Sequence, residues 1–189
     1  MAKRRNSRPT IVGRDSSLAA AFVHAIIPRH DGVAYLQAQE ALYQRFGIKE
    51  DECVYCGNPA TDADHFFAIV KKGKPSGYFH TIGNVVPSCG RCNQSKGGSN
   101  WLTWMKGTGV NSPATRKVPD LDERVERLKK FEEGMAFDSA AALWALEDAI
   151  GKERWESYWN RLDEIRKLLR DAQEDAVSIR QLVEQKLKF

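Results

Sequence analysis

Two Cys-x-x-Cys pairs constrain the fold of this 189-residue chain more than any other feature of its sequence. Cys53 and Cys56 form the first pair, Cys89 and Cys92 form the second, and the chain has no other cysteine. Pairs at this spacing in a long chain are typical of metal binding in a reducing compartment and not of a secreted disulfide framework. Because four thiolates fill the tetrahedral shell of Zn²⁺, the sequence predicts one structural zinc ion that joins two distant segments.

Residues suited to a second, catalytic metal lie between and just after the cysteine pairs. They are Asp64 and His65, Asn84, and Asn93. A histidine is suited to act as a general base, because the pKa of an imidazole is near neutrality. A carboxylate and an amide oxygen form a hard, partly filled shell of the kind that Mg²⁺ prefers. Adjacent residues of a strand point to opposite faces, so Asp64 and His65 serve one site only if a twist, a bulge or main-chain coordination intervenes.

The distribution of charge indicates a polyanionic partner. Residues 65–119 contain eight Lys or Arg and no Asp or Glu, whereas residues 120–189 carry 13 basic and 17 acidic residues. A local field of that sign attracts nucleic acid and speeds its encounter with the protein. Residues 1–14 are expected to form a flexible basic arm that either keeps the protein soluble or lies on DNA phosphates. The candidate DNA contacts in the basic segment are Lys71, Lys72, Lys74, Arg91 and Lys96.

The hydrophobic pattern predicts helices before the first cysteine pair. One helix is expected over 15–27, with Asp15 among its N-caps and His24 as a packed core residue. A second helix is expected to follow Asp31, with Gly47 as its C-cap. Its apolar residues, mainly on one side, are Val33, Leu36, Leu42, Tyr43 and Phe46. The apolar segment 18–27 is too short to span a membrane and lacks the pattern of a signal peptide, so a cytoplasmic protein without a membrane partner is expected.

The segment between the cysteine pairs is expected to contain two strands, at 63–70 and 84–87, with a basic loop over 71–77 between them. A helix is expected over 93–105, in which Trp101 and Trp104 belong to the core. Two strands and a helix with a metal at their base form a ββα arrangement. Asp62 is open as a further carboxylate of the site or a solvated acid. His80 is open as a further base or ligand, although packing or a phosphate contact is favoured.

The C-terminal part is expected to be helical. Helices are predicted from Asp120 to Gly134 and from Asp138 to Gly151, and a long one from Lys152 onward. A heptad seam runs along the long helix, which indicates a partner helix. That partner is either the helices at 120–150 or the same helix of a second chain. The seam consists of Trp155, Tyr158, Leu162, Ile165, Leu169, Ala172, Ala176, Ile179 and Val183.

The order of the motifs in 51–105 resembles the HNH endonuclease family, in its four-cysteine zinc branch. The resemblance rests on Asp64-His65, on Asn84, and on Cys89-x-x-Cys92-Asn93-x-x-Lys96-Gly97. It implies a ββα-metal fold and hydrolysis of a phosphodiester with one divalent ion, usually Mg²⁺. It also implies that His65 is the general base and that Asn84 pins the loop and orients this base. Asp64 and Asn93 would be the ligands of the catalytic metal.

We therefore expect an α+β, mainly helical protein in which a zinc-stapled ββα-metal module is flanked by N- and C-terminal helices. The expected divisions are 1–50 for the basic arm and first helices, 51–106 for the nuclease module, and 107–189 for the C-terminal helices. The expected activity is site-specific, metal-dependent cleavage of double-stranded DNA by a homodimer, as in a type II restriction enzyme. The alternatives are a monomeric nicking or phage HNH endonuclease and a non-catalytic zinc module that binds nucleic acid.

Overall fold

The computed structural model describes residues 9–28, 32–135 and 137–187, so most of the predicted basic arm lies outside the described residues. The helices are α1 (Asp15–Ile26), α2 (Val33–Arg45), α3 (Gly90–Lys96), α4 (Trp101–Lys106), α5 (Leu121–Met135), α6 (Ser139–Ile150) and α7 (Lys152–Leu187). The strands are β1 (Asp62–His65), β2 (Val70–Lys71), β3 (Lys74–Pro75) and β4 (Val85–Ser88). The predicted mainly helical α+β class is confirmed.

The ββα arrangement consists of β1, β4 and α3. β1 pairs antiparallel with β4, so that Asp64 lies opposite Val86 and His65 lies opposite Val85. α3 begins at Gly90, directly after β4 ends. Cys89 is the N-cap residue of α3 and Cys92 lies in its first turn, which places the second cysteine pair at the base of the two strands.

Two predicted elements of this region are wrong in their extent. The strand expected over 63–70 ends at His65, because the chain after it turns where Asn84 binds the backbone of Phe67. The single helix expected over 93–105 is divided into α3 and α4. Gly97 leaves the helix with a φ of +49°, a conformation that glycine adopts without steric cost.

The main hydrophobic core lies between the ββα region, α2, α4 and α5. Trp101 and Phe66 stack with ring centroids 5.1 Å apart, and Phe131 of α5 packs edge-on against Phe66. Trp101 and Trp104 are buried, as predicted. The buried members of this core also include Tyr43, Ile48, Cys53, Val54, Tyr55, Val86, Cys92, Met105, Val125 and Leu128.

A second core joins the two ends of the chain. The predicted basic loop is a β2–β3 hairpin, and it packs with α1 against the first half of α7. Val23 of α1, Ile69 before the hairpin, and Trp159 and Leu162 of α7 are buried there. The hairpin is therefore fixed against α1 and α7 and is not a free loop.

The partners of α7 are only in part the ones predicted. Its buried residues are Trp159 and Leu162, and they pack on α1 and not on α5. Arg166 forms an ion pair with Asp15 at 2.6 Å, so Asp15 does not act as the predicted N-cap of α1. α6, which lies within the predicted range 120–150, also contacts α7. The seam is thus intramolecular in the first half of α7, whereas Ile179 and Val183 farther along are exposed.

The other boundary predictions divide into confirmed and wrong ones. Asp138 caps α6 by accepting a hydrogen bond from the amide of Ala141 at 2.9 Å, and Gly151 ends α6 with a φ of +83°, both as predicted. Gly134 lies inside α5 and does not end it. On the predicted apolar side of α2, Tyr43 is buried and Leu42 and Phe46 pack against the main core, whereas Val33 and Leu36 are exposed. No helix within the described residues is long and apolar enough to cross a membrane.

Candidate functional site

The two cysteine pairs converge on one point. Their four Sγ atoms all lie within 4.8 Å of one another, and the four thiols are free of disulfide bonds. Cys56 Sγ and Cys89 Sγ, which belong to different pairs, are 3.7 Å apart. A tetrahedral Zn²⁺ with Zn–S bonds of about 2.3 Å would separate its sulfur ligands by about 3.8 Å. The donor set and its spacing fit a zinc ion, so the four cysteines could bind one.

Local backbone geometry and one arginine hold this cluster. The amide of Cys53 donates to the carbonyl of Asn58 at 2.8 Å, and Gly57 closes the turn with a φ of +77°. A hydrogen bond from Cys53 lowers the pKa of the Cys56 thiol far below its ordinary value, which favours a thiolate. Arg116 donates to Cys92 Sγ at 2.9 Å. Arg116 lies in the loop between α4 and α5 and was not predicted from the sequence.

Asp64 is buried on the side of β1 that faces α3. The hydroxyl of Tyr55 donates to Asp64 Oδ2 at 2.6 Å, and Lys96 Nζ lies 2.9 Å from the same oxygen. Lys96 Nζ also donates to the carbonyl of His65 at 2.7 Å. Burial raises the pKa of Asp64, and the ammonium of Lys96 opposes this effect. The side chain of Lys96 is 0% exposed, so the structure does not place it where it was predicted to contact DNA.

Lys96→Met is expected to lower the free energy of unfolding by about 3–5 kcal/mol, because removing one partner of a buried ion pair leaves the other uncompensated. Urea denaturation of the metal-loaded protein measures this change. Lys106→Met is the matched control, since Lys106 Nζ and Asp122 form an exposed pair at 3.8 Å. The control should lose no more than about 1 kcal/mol. Equal stabilities of the two variants would contradict the assignment of Lys96 as the counter-ion of Asp64.

His65 points to the opposite face of β1. The pairing of β1 with β4 is in register at both Asp64 and His65, so no bulge brings their side chains to one side. Only the main chain of His65 reaches the Asp64 side, through its carbonyl contact with Lys96. The imidazole of His65 instead meets His80, with Nε2 and Nδ1 3.0 Å apart and ring centroids separated by 5.2 Å.

His24 is a further aromatic neighbour of this site. The prediction that it is a packed core residue is wrong, because it is exposed on α1. Its ring centroid is 6.2 Å from that of His65. The structure thus brings together His24 of α1, His65 of β1 and His80 of the loop before β4. His24 and His80 lie outside the sequence motif that contains His65.

Asn84 closes the base of the long loop between β1 and β4. It is fully buried, and its Oδ1 accepts a hydrogen bond from the amide of Phe67 at 2.7 Å. Its Nδ2 donates to the carbonyls of Phe67 and Phe79, both at 3.0 Å. These three bonds hold the loop next to His65 at one end and next to His80 at the other.

The remaining predicted residues lie at the start of β1 and on α3. Asn93 is half-buried on α3, one turn before Lys96, while Asp62 and Arg91 are exposed. Within the ranges that the structure describes, the four cysteines are the only group of three or more His, Cys, Asp or Glu side chains that could share a metal ion. Asp64, His65 and His80 therefore do not surround one ion here, and the Mg²⁺ site remains a prediction.

Comparison with known proteins gives one relevant similarity. The CRISPR-associated endonuclease Cas9 of Corynebacterium diphtheriae is 30% identical to this chain over 97 residues. This chain is similar to part of an endonuclease. The alignment covers 47% of the chain but only 9% of Cas9, so it compares the chain with a small segment of a much larger protein. No protein-family model matches the chain, and no solved structure matches it.

Proposed function

We propose that this protein is a metal-dependent DNA endonuclease of the HNH type. The observation that carries the proposal is the position of His65 at the end of β1, opposite the start of β4, where Asn84 closes the adjoining loop. The cysteine cluster at the base of β4 and α3 would hold these strands in place with a zinc ion. The similarity to an endonuclease over 47% of the chain supports the same activity.

In this proposal His65 accepts a proton from the attacking water, and Asp64 and Asn93 hold the divalent ion. Tyr55 and Lys96 both contact Oδ2 of Asp64, so coordination by this carboxylate would use Oδ1. Lys96 is the counter-ion of Asp64 in this structure, so a divalent ion at Asp64 would have to bind beside this ammonium or displace it. A bound Mg²⁺ supplies charge stabilisation for the phosphate and the leaving oxygen.

Exposed basic residues provide the proposed contact with DNA. Lys71, Lys72 and Lys74 are exposed on the β2–β3 hairpin, which α1 and α7 hold in place. Arg91 is exposed on the first turn of α3. Because phosphate contacts depend on charge more than on sequence, these residues would position the duplex without selecting a site.

Incubation of the purified, zinc-loaded protein with supercoiled plasmid and Mg²⁺ tests the proposal. Cleavage that EDTA abolishes is expected, and sequencing of the new ends would give the recognition site. DNA binding without cleavage in Mg²⁺ or Mn²⁺ would instead favour the non-catalytic zinc module.

We also propose that the second half of α7 joins two chains, as in a type II restriction enzyme. Ile179, Leu182 and Val183 recur at helical spacing and are 61%, 55% and 42% exposed. An apolar stripe of this kind on a helix is suited to a second copy of the same helix. A two-fold pair would allow both DNA strands to be cut, whereas a monomer would produce nicks.

Ile179→Asp combined with Val183→Asp is expected to convert a dimer into a monomer of 21.3 kDa, because it places charges in the apolar stripe. Light scattering at micromolar concentration measures the mass. Gln181→Asp with Gln185→Asp, on exposed polar positions of the same helix, is the control and should remain dimeric. A monomeric unmutated protein that still makes double-strand breaks would refute the dimer.

A further inference from the structure

We propose that His80 is a positioning residue for His65 and fixes the tautomer in which His65 can accept a proton. This inference rests on the proposed nuclease function. His80 Nδ1 and His65 Nε2 are 3.0 Å apart, which is a hydrogen-bond distance. The rings meet edge to face, with an interplanar angle of 74°.

The chemistry of imidazole determines what this contact does. A neutral imidazole has one N–H and one basic nitrogen, so a general base must direct its N–H toward an acceptor. Because Nε2 of His65 faces His80, the arrangement that suits a base has Nε2–H of His65 donating to Nδ1 of His80. The proposal therefore assigns the proton-accepting role to Nδ1 of His65. His80 itself touches neither the water nor the phosphate in this scheme.

The surrounding structure fixes the position of His80. Asn84 Nδ2 binds the carbonyl of Phe79, the residue directly before His80, at 3.0 Å. Tyr35 of α2 stacks on the His80 ring with a centroid distance of 6.2 Å and an interplanar angle of 14°. Asn84 also binds Phe67, two residues after His65. The buried side-chain amide of Asn84 thus holds the backbone near both His65 and His80. Because His80 is held in place, its hydrogen bond limits the rotation of the His65 ring.

A pair of variants at position 80 separates the hydrogen bond from packing. In His80→Asn the side-chain amide places an acceptor at the position of Nδ1, whereas His80→Leu keeps a similar shape there without an acceptor. His80→Leu is expected to lower the maximal single-turnover rate of plasmid cleavage about 10- to 100-fold, by analogy with the loss of a partner that orients a histidine. The protein concentration that gives half the maximal rate should not change. His80→Asn should retain most of the activity.

His24→Leu is the matched control, because His24 also approaches His65 but only at a ring distance of 6.2 Å. It should cleave at the wild-type rate. Wild-type activity in His80→Leu, or equal losses in His80→Leu and His80→Asn, would overturn the inference. If His65→Ala also cleaved at the wild-type rate, the assignment of His65 as the base would fail together with this inference, whereas the absence of cleavage by the unmutated protein would refute the proposed function itself.

Discussion

His65→Ala is expected to reduce DNA cleavage by about a hundredfold to ten-thousandfold, the usual effect of removing a general base. The substitution removes the imidazole and its 3.0 Å contact with His80. It leaves the four thiols untouched, and it also leaves the backbone carbonyl that accepts a hydrogen bond from Lys96. The fold and the affinity for DNA should therefore stay the same. The single-turnover rate on supercoiled plasmid in Mg²⁺ measures the loss.

Two measurements make this result specific. Fluorescence anisotropy with labelled duplex DNA in Ca²⁺ should give the same dissociation constant for His65→Ala and the unmutated protein. Glu133→Ala, at an exposed position on α5, serves as the control and should cleave normally. If His65→Ala cleaves at the wild-type rate, the base is another group. Weakened DNA binding would show that His65 acts on the substrate complex and not on the chemical step.

Loss of the zinc ion that the four cysteines could bind is expected to have the largest effect on stability. Structural zinc contributes about 10–16 kcal/mol in small zinc-binding peptides at pH 7, which is comparable to the whole stability of a typical domain. Cys53 and Cys92 are each 0% exposed within the main core, so the cluster and the core depend on each other. Cys53→Ser should therefore unfold the ββα region and its surroundings. Zinc content by mass spectrometry and circular dichroism at 25 °C report the outcome.

Asn58→Ala is the matched control for this experiment. Asn58 is exposed in the same turn, and it is the backbone carbonyl of this residue that accepts a hydrogen bond from Cys53. The control should bind one zinc ion per chain and fold normally. A folded, active protein without zinc would contradict the structural role of the cysteines, and so would a Cys53→Ser variant with native stability.

Features set by short spacings could be predicted from the sequence. Two residues between the cysteines of each pair suit ligands of one tetrahedral metal, so the convergence of the two pairs was predictable. The mainly helical class, the long helix α7 and the cap at Asp138 follow from local propensity and periodicity. The order of strand, strand and helix around His65 was predicted too, although β1 and α3 are shorter than expected.

Features set by contacts between distant segments required the tertiary structure. From the sequence, Lys96 was expected to be an exposed lysine. The fold instead places it next to Asp64, 32 positions earlier in the chain, where it is buried as the counter-ion of this carboxylate. His80 and His65 are 15 residues apart, and Arg116 and Cys92 are 24 apart. The heptad seam of α7 predicted an apolar face but not the element that packs on it, because any apolar surface can cover such a face. The spacing of residues along one helix or strand determines which side chains lie on each of its faces. Only the packing of the elements determines which side chains from other elements contact them.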